Sequence, residues 1–132
     1  MLTVGILNKA IDVAKSSSYY PYKVGCVIFN KKKIIATGFN AVRSFSSIND
    51  RYKKYIESCH AEQAAIMRVR NKRKLWNASM IVIRVNHYSG AISMARPCEN
   101  CMKSIRFFHI RDLYYSDSNG QIILEKLNYG SC

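Results

Sequence analysis

Lys23-Val24-Gly25-Cys26-Val27-Ile28-Phe29, then Asn30-Lys31-Lys32-Lys33, then Ile34-Ile35-Ala36-Thr37-Gly38: this run reads as strand, turn and strand. The first segment is a strand-sized apolar run rich in β-branched residues. Asn30 and the three lysines interrupt it, and the second apolar segment returns, so a buried β-hairpin is predicted. Outward from the hairpin, the segments alternate between two periods. On the N-terminal side, Val4, Leu7, Ile11 and Ala14 recur at helical spacing and predict an amphipathic helix over 4–16, broken by Ser16-Ser-Ser-Tyr-Tyr-Pro21. On the C-terminal side, residues 41–58 carry no clean period and read as a loop with a helical turn or two. Ser58 is a candidate N-cap for a helix from Cys59 to Asn71. Met80–Val85 reads as a third strand, Ser89-Gly90 as a turn, and Pro97 as the first turn of a helix to His109. Arg111–Tyr115 and Gln121–Leu124, joined by Asp117-Ser-Asn-Gly120, complete the pattern as a final antiparallel pair. The order α-β-β-α-β-α-β-β, without linker or repeat, predicts one α/β domain over 1–132. Its mixed five-stranded sheet is flanked by helices in a three-layer α/β/α sandwich.

Bulk properties agree with a globular chain. The 132 residues are 48% apolar and 22% charged, and no apolar run is long enough to span a bilayer. The apolar N-terminus lacks a basic region before it and a small-residue cleavage site after it. A soluble, cytoplasmic protein without a membrane partner is therefore the expectation. Five cysteines, an odd and unevenly spaced set, argue against a disulfide framework and for a metal or redox role of Cys98-x-x-Cys101. The net charge of +13, concentrated at Lys31–Lys33, Arg51–Lys54 and Arg68–Lys74, should attract phosphate, whether on a polynucleotide, a free nucleotide or an acidic protein.

The chemistry-bearing motifs are His60-Ala61-Glu62 and Pro97-Cys98-Glu99-Asn100-Cys101, each opening a predicted helix. Two thiolates and an imidazole are zinc-type ligands, and three of them leave a fourth tetrahedral position open, as catalytic zinc sites do. A helix N-terminus favours the thiolate form. Glu62, two residues from His60, can reach water at that position and move protons without itself being a ligand. The competing reading is a closed structural zinc, completed by Cys59, His87, His109 or Cys132, within a basic nucleic-acid-binding module. A closed site would leave Glu62 without a task. H-x-E with P-C-x-x-C is a stated signature of zinc nucleobase deaminases.

On these residues the chain resembles the cytidine and deoxycytidylate deaminase superfamily from Tyr22 to about Tyr115. Val24-Gly-Cys-Val-Ile28 is similar to the family's first strand, Ala36-Thr-Gly-Phe-Asn40 to its G-x-N strand end, and Cys59-His-Ala-Glu62 and Pro97–Cys101 to its two signatures. The resemblance implies Zn(2+) held by His60, Cys98 and Cys101, with Glu62 as proton shuttle. It also implies Asn40 holding sugar or base, and the Ala61 backbone and Pro97 carbonyl region lining the pocket. The implied reaction is hydrolytic release of ammonia from a cytosine base in a nucleoside or nucleotide. Family members commonly self-associate, so a homo-oligomer is expected. Arg43, three residues beyond Asn40, is a candidate phosphate contact. Phe45, with Tyr52 and Tyr55, is a candidate for stacking on the base. Four features set the chain apart among the family's branches: a long gap between His60 and Cys98 that holds an extended hairpin over Asn86–Ala91, Ser93-Met-Ala-Arg-Pro97 before the cysteines, no G-x-P-x-G loop after Asn40, and an antiparallel final pair closer to free-nucleoside deaminases than to the tRNA branch. They bear on the substrate rather than the reaction class. The alternative within the same chemistry is a cytosine or adenine in RNA or single-stranded DNA, which the +13 charge favours.

Overall fold

The hairpin is the centre of the molecule. A computed structural model describes residues 2–17, 22–42 and 58–127. Strand β1 (Tyr22–Asn30) pairs antiparallel with β2 (Lys33–Phe39) on one side and with β5 (Ser79–Asn86) on the other. Strand β7 (Asp112–Ser116) lies parallel to β5, and β8 (Ile122–Lys126) closes the far edge antiparallel to β7. The order β2-β1-β5-β7-β8 is the mixed sheet expected from the sequence, with one addition. Ile92–Ser93 forms a short β6 that pairs back on β5 and makes the sheet six-stranded. A two-residue strand has no readable period. Its signal is the turn before it, where Asn86 Oδ1 accepts from the amides of Tyr88 and Ser89 and Gly90 takes φ +72°.

Helix α1 (Val4–Lys15) covers one face of the sheet, and its buried Ile6, Ala10, Val13 and Ala14 pack on Val27, Phe29, Ile81 and Ile83. Thr3 caps it by accepting from the Ile6 amide at 3.1 Å. Helices α2 (Ala61–Met67) and α3 (Glu99–Phe107) cover the other face over Cys26, Ile28, Met80 and Val82. The result is the three-layer α/β/α sandwich.

Four helix boundaries differ from the sequence expectation by two residues or more, one of them the end of α3 at Phe107 rather than His109. Helix α2 begins at Ala61 with His60 as its N-cap, because Ser58–Cys59 are a strand (β4) paired with Ala41–Val42 (β3). These ladder bonds hold the chain extended up to His60, so Ser58 does not cap the helix. At its other end α2 stops at Met67 rather than Asn71. Lys72 Nζ caps the carbonyls of Ile66 and Val69, and Asn71 Oδ1 accepts from the Arg73 amide to start a short 3-10 turn, Lys72–Leu75. Helix α3 starts at Glu99 with Cys98 as N-cap, so Pro97 stands before the helix rather than inside its first turn.

Two glycines fix how the helices sit. A Cβ on Gly25 would lie 2.4 Å from the Ala14 nitrogen in α1, and one on Gly38 would lie 2.4 Å from the Ala65 nitrogen in α2. The helix backbones rest directly on the strands at these points. Gly38→Ala should therefore destabilise the fold by about 1–3 kcal/mol, as forced overpacking does. Chemical denaturation with an unchanged m-value would register it, and a midpoint equal to wild type would contradict the close approach.

Candidate active site

The site forms where β2 and β5 end and α2 and α3 begin, the side of an α/β sheet that ordinarily receives ligands. His60 and Cys98 are the N-caps of α2 and α3, and Cys101 follows one turn into α3. Extended backbone at both caps (ψ 147° and 170°) sets each helix entrance against the other. Gln63 Nε2 donates to Ser104 Oγ at 2.8 Å and ties the first turn of α2 to the second turn of α3.

The three candidate ligand atoms lie within 4.8 Å of one another. His60 Nδ1 is 3.2 Å from Cys101 Sγ and 3.7 Å from Cys98 Sγ. Zinc bonds of about 2.0–2.1 Å to nitrogen and about 2.3 Å to sulfur at a tetrahedral angle demand an N···S edge of about 3.6 Å. The observed pair brackets that length, and one nitrogen with two sulfurs is a zinc donor set. The residues fit the ion. Among the described residues no other His, Cys, Asp or Glu joins the group. His109 stacks on Trp76 at 4.3 Å, and His87 packs edge-on to Tyr88. Neither completes a closed site. The side chains of Cys59 and Cys132 lie outside the described residues.

Burial dominates the electrostatics. Glu62 is only 5% exposed, and desolvation raises its pKa against the opposing pull of its own backbone amide, His60 and Cys101. Burial also pushes the Cys101 thiol up, reinforced by the negative charges of Glu62 and Cys98, while a hydrogen bond from Gln63 works the other way. Cys26, fully buried in β1 beneath this group, is raised for the same reasons, and it is the small core residue its sequence context suggests. Burial thus works against the charged forms of Glu62 and Cys101 alike. A bound divalent ion favours the thiolate form of a coordinating sulfur and so opposes that effect.

A cavity of about 200 Å³ opens onto the group. Its described walls include His60, Ala61, Glu62, Asn40 and Cys98. Asn40 and Ala61, named from the sequence, are both among these walls. The Asn40 side chain is also engaged structurally: its Oδ1 accepts from the Val24 amide at 2.8 Å and from the Ser17 hydroxyl at 2.7 Å, and its Nδ2 donates to the Tyr22 carbonyl at 3.3 Å. Arg43 and Phe45, like Tyr52 and Tyr55, lie outside the described residues. Sequence reasoning missed Tyr22, Arg84 and the Met94-Ala95-Arg96 stretch, which also line the cavity. Arg84 carried a readable signal as the single charge in the apolar strand Ser79–Asn86. The stretch before Pro97 is pinned by Ser116, whose hydroxyl donates to the Ser93 carbonyl and whose carbonyl accepts from Ala95. No helix among the described residues is long and apolar enough to cross a membrane.

Comparison with known proteins agrees with this geometry. The chain superposes on a cytidine deaminase from Burkholderia pseudomallei with a TM-score of 0.67 and 14% identity, covering 96% of this chain and 93% of that one. A dCMP deaminase from the cyanophage S-TIM5 matches at 0.55 and 18%, covering 89% and 86%. Acinetobacter baumannii RibD matches at 0.53 and 20% over 86% of this chain, which spans only 27% of that larger protein. No curated protein sequence is significantly similar. The family model described as the cytidine and deoxycytidylate deaminase zinc-binding region matches residues 4–117. With its His60, Cys98 and Cys101 group set for Zn(2+), the chain belongs to the cytidine and deoxycytidylate deaminase family.

Proposed function

We propose that this deaminase hydrolyses the amino group of a cytosine base in a nucleoside or nucleotide, giving the uracil product and ammonia. The observation that carries the proposal is a buried carboxylate, Glu62, on the wall of the same cavity as His60 and Cys98. His60 Nδ1 and the Cys98 and Cys101 thiolates would hold zinc. When bound, the ion supplies Lewis acidity that lets water lose a proton near neutral pH. Glu62 takes that proton and delivers it to the ring nitrogen beside the amino-bearing carbon. The water oxygen bonds to that carbon, the carbon–nitrogen bond to the amino group breaks, and ammonia departs with a second proton passed through Glu62. The cavity is smaller than the ~300 Å³ at which pockets for drug-sized ligands begin, which suits one ring at the reacting end.

Ammonia and uracil product are measured with zinc-loaded protein on cytidine, deoxycytidine, their monophosphates and single-stranded oligonucleotides. Turnover of a free nucleoside or nucleotide is expected. Turnover of oligonucleotides alone would replace the substrate assignment, and no product from any of them would overturn the reading.

A further inference from the structure

Arg84 and Arg96 both line the cavity, but their surroundings differ. Arg96 is clamped by Glu125 through two contacts of 3.1 Å, with the Tyr115 hydroxyl donating to the same carboxylate at 3.2 Å. Its charge is already answered, and Arg96 in turn holds the Glu125 carboxyl below the usual range. Arg84 forms no ion pair among the described residues. Its guanidinium lies over the Tyr22 ring, 4.0 Å from the centroid. A guanidinium seated on an aromatic face keeps its N–H edge open for a planar, two-point acceptor.

The sheet register gives the direction of this group from the reacting centre. Arg84 stands opposite Val24, and two residues further in Val82 stands opposite Cys26, beneath Glu62 and Cys101. Alternate residues share a face, so Arg84 points to the same side as the metal group and sits about 6.6 Å outward along β5. The cavity therefore has an acid and a metal-ligand group at its inner end and, at its outer end, a cation with no ion pair among the described residues. We infer that Arg84, braced by Tyr22, binds the phosphate of a nucleoside monophosphate whose base lies against His60 and Glu62. The inference rests on the deaminase reading above and narrows its substrate to the phosphorylated form.

The test compares kcat/KM for dCMP and deoxycytidine in zinc-loaded wild type, Arg84→Gln and Arg84→Lys. Wild type should prefer the monophosphate. Arg84→Gln should lower that preference ratio by about 10- to 100-fold, chiefly through the KM for dCMP, and Arg84→Lys should retain part of it. A ratio unmoved by Arg84→Gln, a wild type indifferent to the phosphate, or a preference for an oligonucleotide over dCMP would each overturn the assignment. Calorimetric binding of dCMP and deoxycytidine to wild type and Arg84→Gln separates this failure from that of the parent reading. If nothing is turned over but Arg84→Gln weakens dCMP binding selectively, the phosphate contact stands and the reaction assignment falls. If dCMP binds no better than deoxycytidine, the phosphate contact falls whatever the turnover.

Discussion

Cys101→Ser should strip the protein of zinc and of deaminase activity together. Cys101 is 1% exposed, and its sulfur stands 3.2 Å from His60 Nδ1, so it is the innermost of the three candidate ligands. A serine hydroxyl is a far poorer zinc ligand than a thiolate, and two remaining ligands do not hold the ion. Zinc content after dialysis should fall from about one per chain to near zero. With the Lewis acid gone, several kcal/mol of transition-state stabilisation go with it, so kcat/KM should drop by at least about 10³-fold. Full zinc retention, or activity without zinc, would refute the ligand set.

Glu62→Gln should leave the metal in place and remove the chemistry. The amide preserves the volume of a side chain that is 5% exposed but cannot accept a proton from water. The expected loss in kcat is about 10²- to 10⁴-fold, the usual worth of a positioned general base. Zinc content should match wild type. Thermal stability should be maintained or improved, because the substitution removes an ionisable group whose charged form burial disfavours. Loss of zinc would instead make Glu62 a ligand, and near-normal kcat would assign the proton transfer to another group. The two substitutions together separate holding the ion from moving the proton.

The fold was legible wherever an element was long enough to show a period. Strand β1 and helix α1 bury unbroken or regularly spaced apolar residues, and their limits agree with the structure to within a residue or two. The β3–β4 ladder was not legible, because two-residue strands have no periodicity and arise from tertiary pairing, whereas β6 was legible only as the return of the hairpin over Asn86–Ala91. The early end of α2 was hidden for a related reason. Arg68–Lys74 looks helix-compatible by composition, and only the cap made by Lys72 and the competing turn at Asn71 stop it. The metal group was readable because ligand chemistry restricts residue types more sharply than packing does. His60, Cys98 and Cys101 converge although 38 to 41 residues separate the histidine from the cysteines. The cavity's outer end was not readable, since it needs the register that sets Arg84 beside Val24 and above Tyr22.

The glycine contacts of the hairpin bear on how the site tolerates change elsewhere. In most of the sandwich the gap between sheet and helix is filled by side chains, so a larger or smaller residue can alter it. At Gly38 the strand touches the Ala61 carbonyl and the Ala65 backbone of α2, and at Gly25 the neighbouring strand touches α1 in the same way from below. Main chain against main chain is a stop of fixed thickness. The height of His60 and Glu62 above Cys26 is thereby referenced to the backbone of a single hairpin. Aliphatic exchanges in the rest of the core can drift without changing the height of His60 and Glu62 over the hairpin.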